Sequence, residues 1–219
     1  MRADEARASG DPGSHGSYRR ADVFVTFEGI DGSGKTTQAE LLAEALRLEG
    51  RDVVSTREPG GTPVGEQVRT ILLGAPSMSA WTEAALFAAA RAELVERVIA
   101  PALESGQDVV SDRYVDSSLA YQGIARQLGV ELVLELNLRA TRGLLPDVTF
   151  LIVIDPERAS ARTKSGDRIE REGIELQRSV DTAYRSLAAM FPNRIKTIDG
   201  DQSAAEIAKE VRGRLRELS

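Results

Sequence analysis

The chain has 219 residues, with no cysteine, one histidine and a net charge of −6 from 34 acidic and 28 basic residues. This composition excludes disulfides and thiolate metal sites, and it argues against histidine chemistry and against a broad face that binds nucleic acid. No apolar run approaches the roughly 18 residues of a membrane span, and the N-terminus has no apolar signal core. The sequence therefore predicts a cytoplasmic protein with no membrane or nucleic-acid partner.

Residues 1–21 differ from the rest of the chain because they are polar and small and show no periodicity. We interpret them as a disordered leader. A functional basic arm at Arg19 and Arg20 is the alternative. Residues 22–219 are long enough for one large α/β domain, and no linker or internal repeat divides them.

A glycine-rich segment follows the first predicted strand, residues 23–27, and precedes a stretch with helical apolar spacing from Leu41 to Leu46. It matches the phosphate-binding pattern G-x-x-x-x-G-K-[ST]. Its glycines allow a tight turn that points backbone N–H groups at a polyphosphate, to which Lys35 adds a charge, while the Thr36 hydroxyl can bind Mg²⁺. A glycine-rich turn with a chance lysine is the alternative. The predicted site comprises Gly29, Ile30, Asp31, Gly32, Ser33, Gly34, Lys35 and Thr36.

The remaining apolar runs alternate with amphipathic stretches. Strands are predicted at 52–56, 108–111, 148–154 and 195–198, and further helices at about 63–73, 80–104, 116–139, 157–163, 173–190 and 203–217. Strands that alternate with helices indicate an α/β fold, in which a five-stranded parallel sheet is flanked by helices on both faces.

Charged and polar motifs follow several of these strands, where ligands bind in open parallel sheets. A tight charged turn at 57–62 follows the second strand, and Asp112-Arg113-Tyr114 follows the third. Asp112 is placed to hold Mg²⁺ through water. After the fourth strand, a polar, cation-rich segment at about 162–172 is typical of a lid that closes over phosphates.

Taken together, these motifs resemble the thymidylate kinase family. The resemblance spans roughly residues 22–215 and rests on Phe27-Glu28-Gly29, 56–62, Leu86-Phe87 with Arg91, Asp112-Arg113-Tyr114, 118–123 and 167–170. It implies a P-loop NTPase fold of the nucleoside monophosphate kinase type with a short lid. It also implies a homodimer that transfers the γ-phosphoryl of ATP to thymidine monophosphate with Mg²⁺, in dTTP biosynthesis. A P-loop kinase for another nucleotide or a deoxynucleoside is the alternative.

The resemblance implies roles on the base side of the substrate. Phe87 would stack on thymine, although the same residue suits an ordinary core aromatic. Ser118 and Gln122, which lie on one helix face at a spacing of four, would bind the base edge. Tyr121 would crowd the position of a ribose 2′-hydroxyl. Arg91 would face the base or the acceptor phosphate, and a solvated helix arginine is the alternative.

On the phosphate side, Arg69 and Arg113 would clamp the acceptor phosphate with their planar guanidinium groups. For Arg69, a surface salt bridge is the alternative. Asp31 would lie near the sugar 3′-hydroxyl and the acceptor phosphate. Glu58 would organise the water shell of the metal or anchor its own turn, and Glu28 is expected to have a structural role rather than a catalytic one.

The interior of the phosphate-binding loop contains no arginine or lysine. The resemblance therefore implies the subclass of the family in which the extra catalytic cation comes from the lid. When the lid is aligned with the family from Pro156 onwards, Arg162 occupies the position at which the family packs an arginine against adenine. Lys164 is then the first candidate for the catalytic cation, and Arg168 is the second. The predicted catalytic residues are Lys35, Asp112, Arg113 and Lys164, and the predicted metal ligands are Thr36 and Asp112.

Overall fold

The computed structural model of the protein describes residues 22–162, 166 and 168–217. Its strands are β1 (Phe24–Glu28), β2 (Val53–Arg57), β3 (Asp108–Asp112), β4 (Val148–Val153) and β5 (Ile195–Asp199). All are parallel and form one sheet in the order β2-β3-β1-β4-β5. The predicted five-stranded parallel sheet is confirmed. The predicted leader, 1–21, lies outside the described residues.

Helices connect the strands and cover both faces of the sheet. They are α1 (Lys35–Leu48), α2 (Pro63–Gly74), α3 (Ala80–Leu94), α4 (Ala100–Glu104), α5 (Val115–Ser118), α6 (Val130–Ala140), α7 (Pro156–Ser160), α8 (Ile174–Met190) and α9 (Ala204–Glu217). Two π-helical segments, Val95–Ile99 and Leu119–Ala125, continue α3 and α5, and a 3-10 turn spans Glu170–Glu172. Among the residues so described, no helix is both long and apolar enough to cross a bilayer.

The core lies on the two faces of the sheet, because successive side chains of a strand point to opposite sides. Val25 of β1 packs on one face with Leu42 of α1 and Val211 of α9. Phe24 belongs to the cluster on the other face, which includes residues of α3, α8 and the π-helical segment Leu119–Ala125. All residues of β1 are buried, as expected for a central strand of a parallel sheet.

The register of the sheet brings the functional motifs to one edge. Phe27 of β1 lies beside Asp112 at the end of β3, and Glu28 lies beside Leu151 of β4. The loops that follow β1 and β3 therefore leave the sheet next to each other. This is the carboxyl edge at which the sequence predicts a ligand site.

The helix predicted over 116–139 is wrong as a continuous element. It is interrupted after the π-helical segment Leu119–Ala125, and α6 begins only at Val130. Gly129 precedes α6 with φ +91°, and Gln127 also has positive φ, which is a conformation that ends a right-handed helix. At the start of α7 the predicted cap is observed, since Asp155 Oδ1 accepts hydrogen bonds from the backbone of Glu157 and Arg158 at 3.1 Å.

Candidate active site

One cleft at the carboxyl edge of the sheet collects most of the predicted substrate-binding residues. It is lined by Asp31, Glu58, Pro59, Arg69, Leu73, Phe87, Arg113, Ser117, Ser118, Tyr121, Gln122 and Ile169. All of the predicted substrate-binding residues except Arg91 are in this set. Residues from the phosphate-binding loop, the turns that follow β2 and β3, the helices α2, α3 and α5, and the π-helical segment Leu119–Ala125 thus meet at one place.

The phosphate-binding loop between β1 and α1 depends on its glycines. Gly32 has φ +81°, and a Cβ there would collide with the carbonyl oxygen of Ala159 in α7. Gly34 caps α1 with φ +94°, and a Cβ there would meet nothing within 4 Å, so its surroundings are open. The loop leads into the N-terminus of α1 beside Asp31, which lines the cleft, and the orphan N–H groups and helix dipole at that N-terminus favour an anion.

Asp31 holds the two cations nearest to this loop. Its Oδ1 accepts from Lys35 Nζ at 3.3 Å and from Arg113 Nη2 at 2.5 Å. Burial alone raises the pKa of Asp31, but the charges of Arg113 and Lys35 outweigh it and hold the pKa below its usual range. Burial and the charge of Arg113 lower the pKa of Lys35, against the opposing effect of Asp31. The carboxylate thus offsets the repulsion between two buried cations.

Arg113 is fixed from its other side by hydroxyl groups. It has φ +73°, a rare backbone conformation for a side chain of this size, and its Nη1 donates to Ser117 Oγ at 3.0 Å and to Tyr184 Oη at 3.1 Å. Ser117 and Tyr184 in turn donate to Glu28 Oε2 at 2.6 and 2.7 Å. Burial, followed by the charge of Asp116, raises the pKa of Glu28 to about 7. Glu28 thus has the structural position expected from the sequence.

Sequence reasoning missed Tyr184 and Ser117. Ser117 is adjacent to the predicted Ser118 and has the same hydroxyl group, so this adjacency could have indicated that Ser117 belongs to the site. Tyr184 lies on α8, beyond the lid segment, and its hydroxyl oxygen is 2.9 Å from Ser117 Oγ. No local pattern in the sequence indicates that contact.

The predicted metal ligands lie together. Thr36 Oγ1 donates to Asp112 Oδ2 at 2.5 Å, and Asp112 Oδ1 is buried with no partner among the described residues. No cluster of three or more carboxylate, histidine or cysteine residues that could hold a metal occurs in the described parts of the chain. One carboxylate and one hydroxyl with an unused oxygen fit Mg²⁺, which is commonly held by few protein ligands together with water and nucleotide phosphates.

On the opposite wall of the cleft, Ser118 ends α5, and Gln122 lies four residues on, within the π-helical segment Leu119–Ala125. A π-helix has a wider turn than an α-helix, so this spacing keeps both side chains on one face. Each is about 1% exposed, and both line the cleft. Phe87 of α3 is half-buried and also lines the cleft.

Arg91 lies behind this wall and is 1% exposed. Its Nε and Nη2 donate to the carboxylate of Glu58, with the shortest distance 2.5 Å to Oε2. All five N–H groups of its guanidinium have protein acceptors, which are Glu58, Ser118, Asn137 and the carbonyl oxygen of Tyr114. The structure therefore places Arg91 as a support for Glu58 and Ser118, and its burial is inconsistent with the alternative of a solvated helix arginine. The carboxylate of Glu58 is bound by α3 rather than by its own turn.

Two predicted residues on the remaining walls make simpler contacts. Arg69 of α2 is half-buried and its Nη1 donates to the carbonyl oxygen of Pro59 at 2.9 Å. Tyr121 is buried, and the guanidinium carbon of Arg113 lies 5.4 Å from the centre of its ring. Both side chains border the space between the phosphate-binding loop and the wall that carries Ser118.

The lid is described only in part. Lys164 lies outside the described residues, and Arg162 is exposed just after α7. Arg168 is 6% exposed, and its guanidinium donates to Leu72 O at 2.8 Å and to Glu83 Oε2 at 2.5 Å. This placement argues against Arg168 as the second candidate for the catalytic cation, because its charge is already paired away from the phosphate-binding loop.

Comparisons with known proteins identify the family of the chain. The family model for thymidylate kinase matches residues 27–211. A thymidylate kinase of Symbiobacterium thermophilum is 48% identical over 200 residues, covering 90% of this chain and 94% of the relative. Another, of Caldanaerobacter subterraneus subsp. tengcongensis, is 50% identical over 191 residues, covering 86% and 92%. A crystal structure of thymidylate kinase from Ehrlichia chaffeensis has a TM-score of 0.74 at 34% identity and covers 90% of this chain and 99% of that one. The chain belongs to the thymidylate kinase family.

Proposed function

We propose that this enzyme transfers the γ-phosphoryl of ATP to thymidine monophosphate and thereby makes thymidine diphosphate for dTTP biosynthesis. The observation that carries the proposal is the composition of the cleft. Its phosphate-binding loop lies at one wall, with Lys35 and Arg113 held by Asp31. The opposite wall presents an aromatic ring and two buried polar side chains, those of Phe87, Ser118 and Gln122.

The transfer is a direct in-line displacement. At neutral pH the acceptor is already a phosphate dianion, so it attacks without a general base. The protein holds the two polyanions in line and offsets the charge on the moving group. Lys35 serves the β- and γ-phosphates of the donor, and Arg69 and Arg113 hold the acceptor phosphate.

Thr36 and Asp112 would hold Mg²⁺, and the unpaired Oδ1 of Asp112 supports this assignment. When bound with ATP, Mg²⁺ neutralises negative charge on the phosphates. On the base side, Phe87 stacks on thymine, Ser118 and Gln122 bind its edge, and Tyr121 fills the space where a ribose would carry its 2′-hydroxyl.

The proposal includes a catalytic cation from the lid, with Lys164 ahead of Arg162. The interior of the phosphate-binding loop contains Asp31 as its only charged residue, so the extra positive charge has to come from elsewhere. Arg162 packs on adenine in this assignment. The pairing of Arg168 with Glu83 supports Lys164 over Arg168.

The proposal also includes a homodimer, which the family resemblance implies, and a location in the cytoplasm, which the sequence predicts. Sedimentation of the purified protein tests the dimer. A single species at the monomer mass at micromolar concentration would contradict it.

A coupled assay of ADP release tests the substrate. Thymidine monophosphate should give a higher kcat/KM than uridine monophosphate, the purine monophosphates and thymidine. The matched comparison is thymidine against its monophosphate, because Arg69 and Arg113 require an existing phosphate. A higher kcat/KM for thymidine would overturn the assignment in favour of a nucleoside kinase.

A further inference from the structure

A buried carboxylate lies directly behind the base-binding wall. Glu83, in the first turn of α3, is 1% exposed and accepts a hydrogen bond from Gln122 Nε2 at 2.7 Å. Its other oxygen accepts from Arg168 Nη2 at 2.5 Å, and Arg126 donates to each oxygen at 3.3 Å. Glu83 does not line the cleft, and the proposed reaction assigns it no role.

These contacts keep Glu83 ionised. Burial raises its pKa, but the hydrogen bonds from Gln122, Arg168 and Arg126 outweigh burial and lower it. An ionised carboxylate accepts hydrogen bonds and cannot donate one. The amide of Gln122 therefore has to turn its NH₂ group towards Glu83. Its carbonyl oxygen, Oε1, has no donor among the described residues and is left for a ligand in the cleft.

Ser118 can supply a donor next to this acceptor. Arg91 Nη1 donates to Ser118 Oγ at 3.0 Å, and a guanidinium cannot accept a hydrogen bond. The hydroxyl oxygen of Ser118 takes that bond, which leaves its own hydrogen to donate into the cleft. The wall thus presents a hydrogen that Ser118 can donate and an acceptor at Gln122, and the orientation of the Gln122 amide is set by the buried Glu83 behind it.

This pair of groups matches some pyrimidines and not others. Thymine and uracil present an N3–H donor beside the C4 carbonyl acceptor. Cytosine reverses the pattern, with an N3 acceptor beside an N4 amino donor. An acceptor at Gln122 and a donor at Ser118 therefore fit the thymine edge, whereas the N3 atom of cytosine would set an acceptor against the acceptor at Gln122.

We infer that Glu83 is a positioning residue that fixes the amide orientation of Gln122 and thereby selects keto pyrimidines over amino pyrimidines. The inference rests on the proposed function, since it requires that the base lies against this wall. It adds a specific cause of selectivity that lies outside the cleft and touches no substrate atom.

The test substitutes Glu83→Gln, which keeps the shape but allows the side chain both to donate and to accept. The amide of Gln122 can then turn over. The readout is kcat/KM for deoxythymidine monophosphate divided by kcat/KM for deoxycytidine monophosphate. We expect this ratio to fall by about 10-fold or more, because the turned amide can donate to N3 of cytosine and so removes the cost of a mismatched buried hydrogen bond.

Arg126→Met is the matched control, because it removes one ion-pair partner of Glu83 without touching the bond to Gln122. It should leave the ratio unchanged. Glu83→Gln in a Gln122→Met background should also leave the ratio at the value for Gln122→Met alone, because the amide through which Glu83 acts is absent. Thermal unfolding of each variant checks the fold. If Glu83→Gln does not fold, Glu83→Asp keeps the charge for Arg168 but retracts from Gln122, and the ratio should fall in the same direction.

The outcomes separate the two proposals. A wild-type enzyme without a preference for thymidine monophosphate would refute the proposed function. A wild-type preference that survives Glu83→Gln would overturn the inference alone. Equal losses of kcat/KM for both acceptors would also overturn it, because that pattern indicates a purely structural role for Glu83.

Discussion

Replacing Arg91 by methionine should destabilise the protein even without substrate. The side chain of Arg91 is fully buried, and that of its partner Glu58 is 4% exposed. Arg91→Met keeps most of the side-chain volume but leaves the Glu58 carboxylate buried without its cation. Burial already raises the pKa of Glu58 against the opposing effect of Arg91, so the carboxylate has little other support.

The expected loss in the free energy of unfolding is about 3–5 kcal/mol, the range for breaking a buried ion pair from one side. For a chain of this length, each kcal/mol lowers Tm by about 2–4 °C, so the shift should be about 6–20 °C. The double variant Arg91→Met, Glu58→Gln removes the buried charge as well. It should be more stable than Arg91→Met alone, although Ser118 and Asn137 still lose a donor.

Urea unfolding of the ligand-free wild type, both single variants and the double variant measures this coupling. The reasoning would be refuted if Arg91→Met unfolded within about 0.5 kcal/mol of the wild type. If that variant also raised the KM for thymidine monophosphate, Arg91 would be a substrate ligand whose charge is not needed by the fold.

Four further outcomes are expected. Lys35→Ala should lower kcat by about 10³-fold or more, with a fold intact by circular dichroism, because its charge acts on the phosphates; wild-type turnover at saturating MgATP would contradict this. Asp112→Ala should raise the Mg²⁺ concentration for half-maximal rate, which a magnesium titration measures. Lys164→Ala should mainly lower kcat and Arg162→Ala mainly raise the KM for ATP, and the reverse pattern would make Arg162 the catalytic cation. The pKa of Glu28 is raised to about 7 in the folded protein, so Glu28 keeps its proton there at pH values at which the unfolded chain, with the ordinary pKa of 4.5, has lost it. The free energy of unfolding should therefore fall by about 3 kcal/mol as the pH rises from 4.5 to 7, compared with the Glu28→Gln variant. Urea unfolding of both proteins across this pH range measures the difference.

The phosphate-binding loop and the sheet were predictable because their signals are local. The loop is one contiguous motif between a strand and a helix, and the inner strands β1, β3 and β4 are short apolar runs because they are buried on both faces. The edge of the sheet then follows from parallel pairing, so Asp112 and the loop could be expected to meet. Each of these steps needs only neighbouring residues or a general rule of topology.

The supports behind the site were not predictable in the same way. The side-chain partners of Arg91 come from the turn after β2, from α5 and from α6. Asn137 is 46 residues further along the chain than Arg91, and no sequence pattern links the two. Tyr184 reaches Glu28 from a position 156 residues further along the chain. The wrong continuous helix over 116–139 has a related cause, since apolar spacing alone does not distinguish a π-helical segment followed by a break from an uninterrupted helix.

The acidic residue inside the phosphate-binding loop has a physical explanation in this arrangement. Lys35 and Arg113 are buried next to each other, and the charge of Arg113 lowers the pKa of Lys35. Asp31 opposes that effect by accepting from both cations at one oxygen. Because the carboxylate keeps the pair charged and in place before any ligand enters, the phosphates of the proposed reaction meet preformed cations. A negative charge in a site for anions is consistent with its function, since it maintains the positive charges that the anions need.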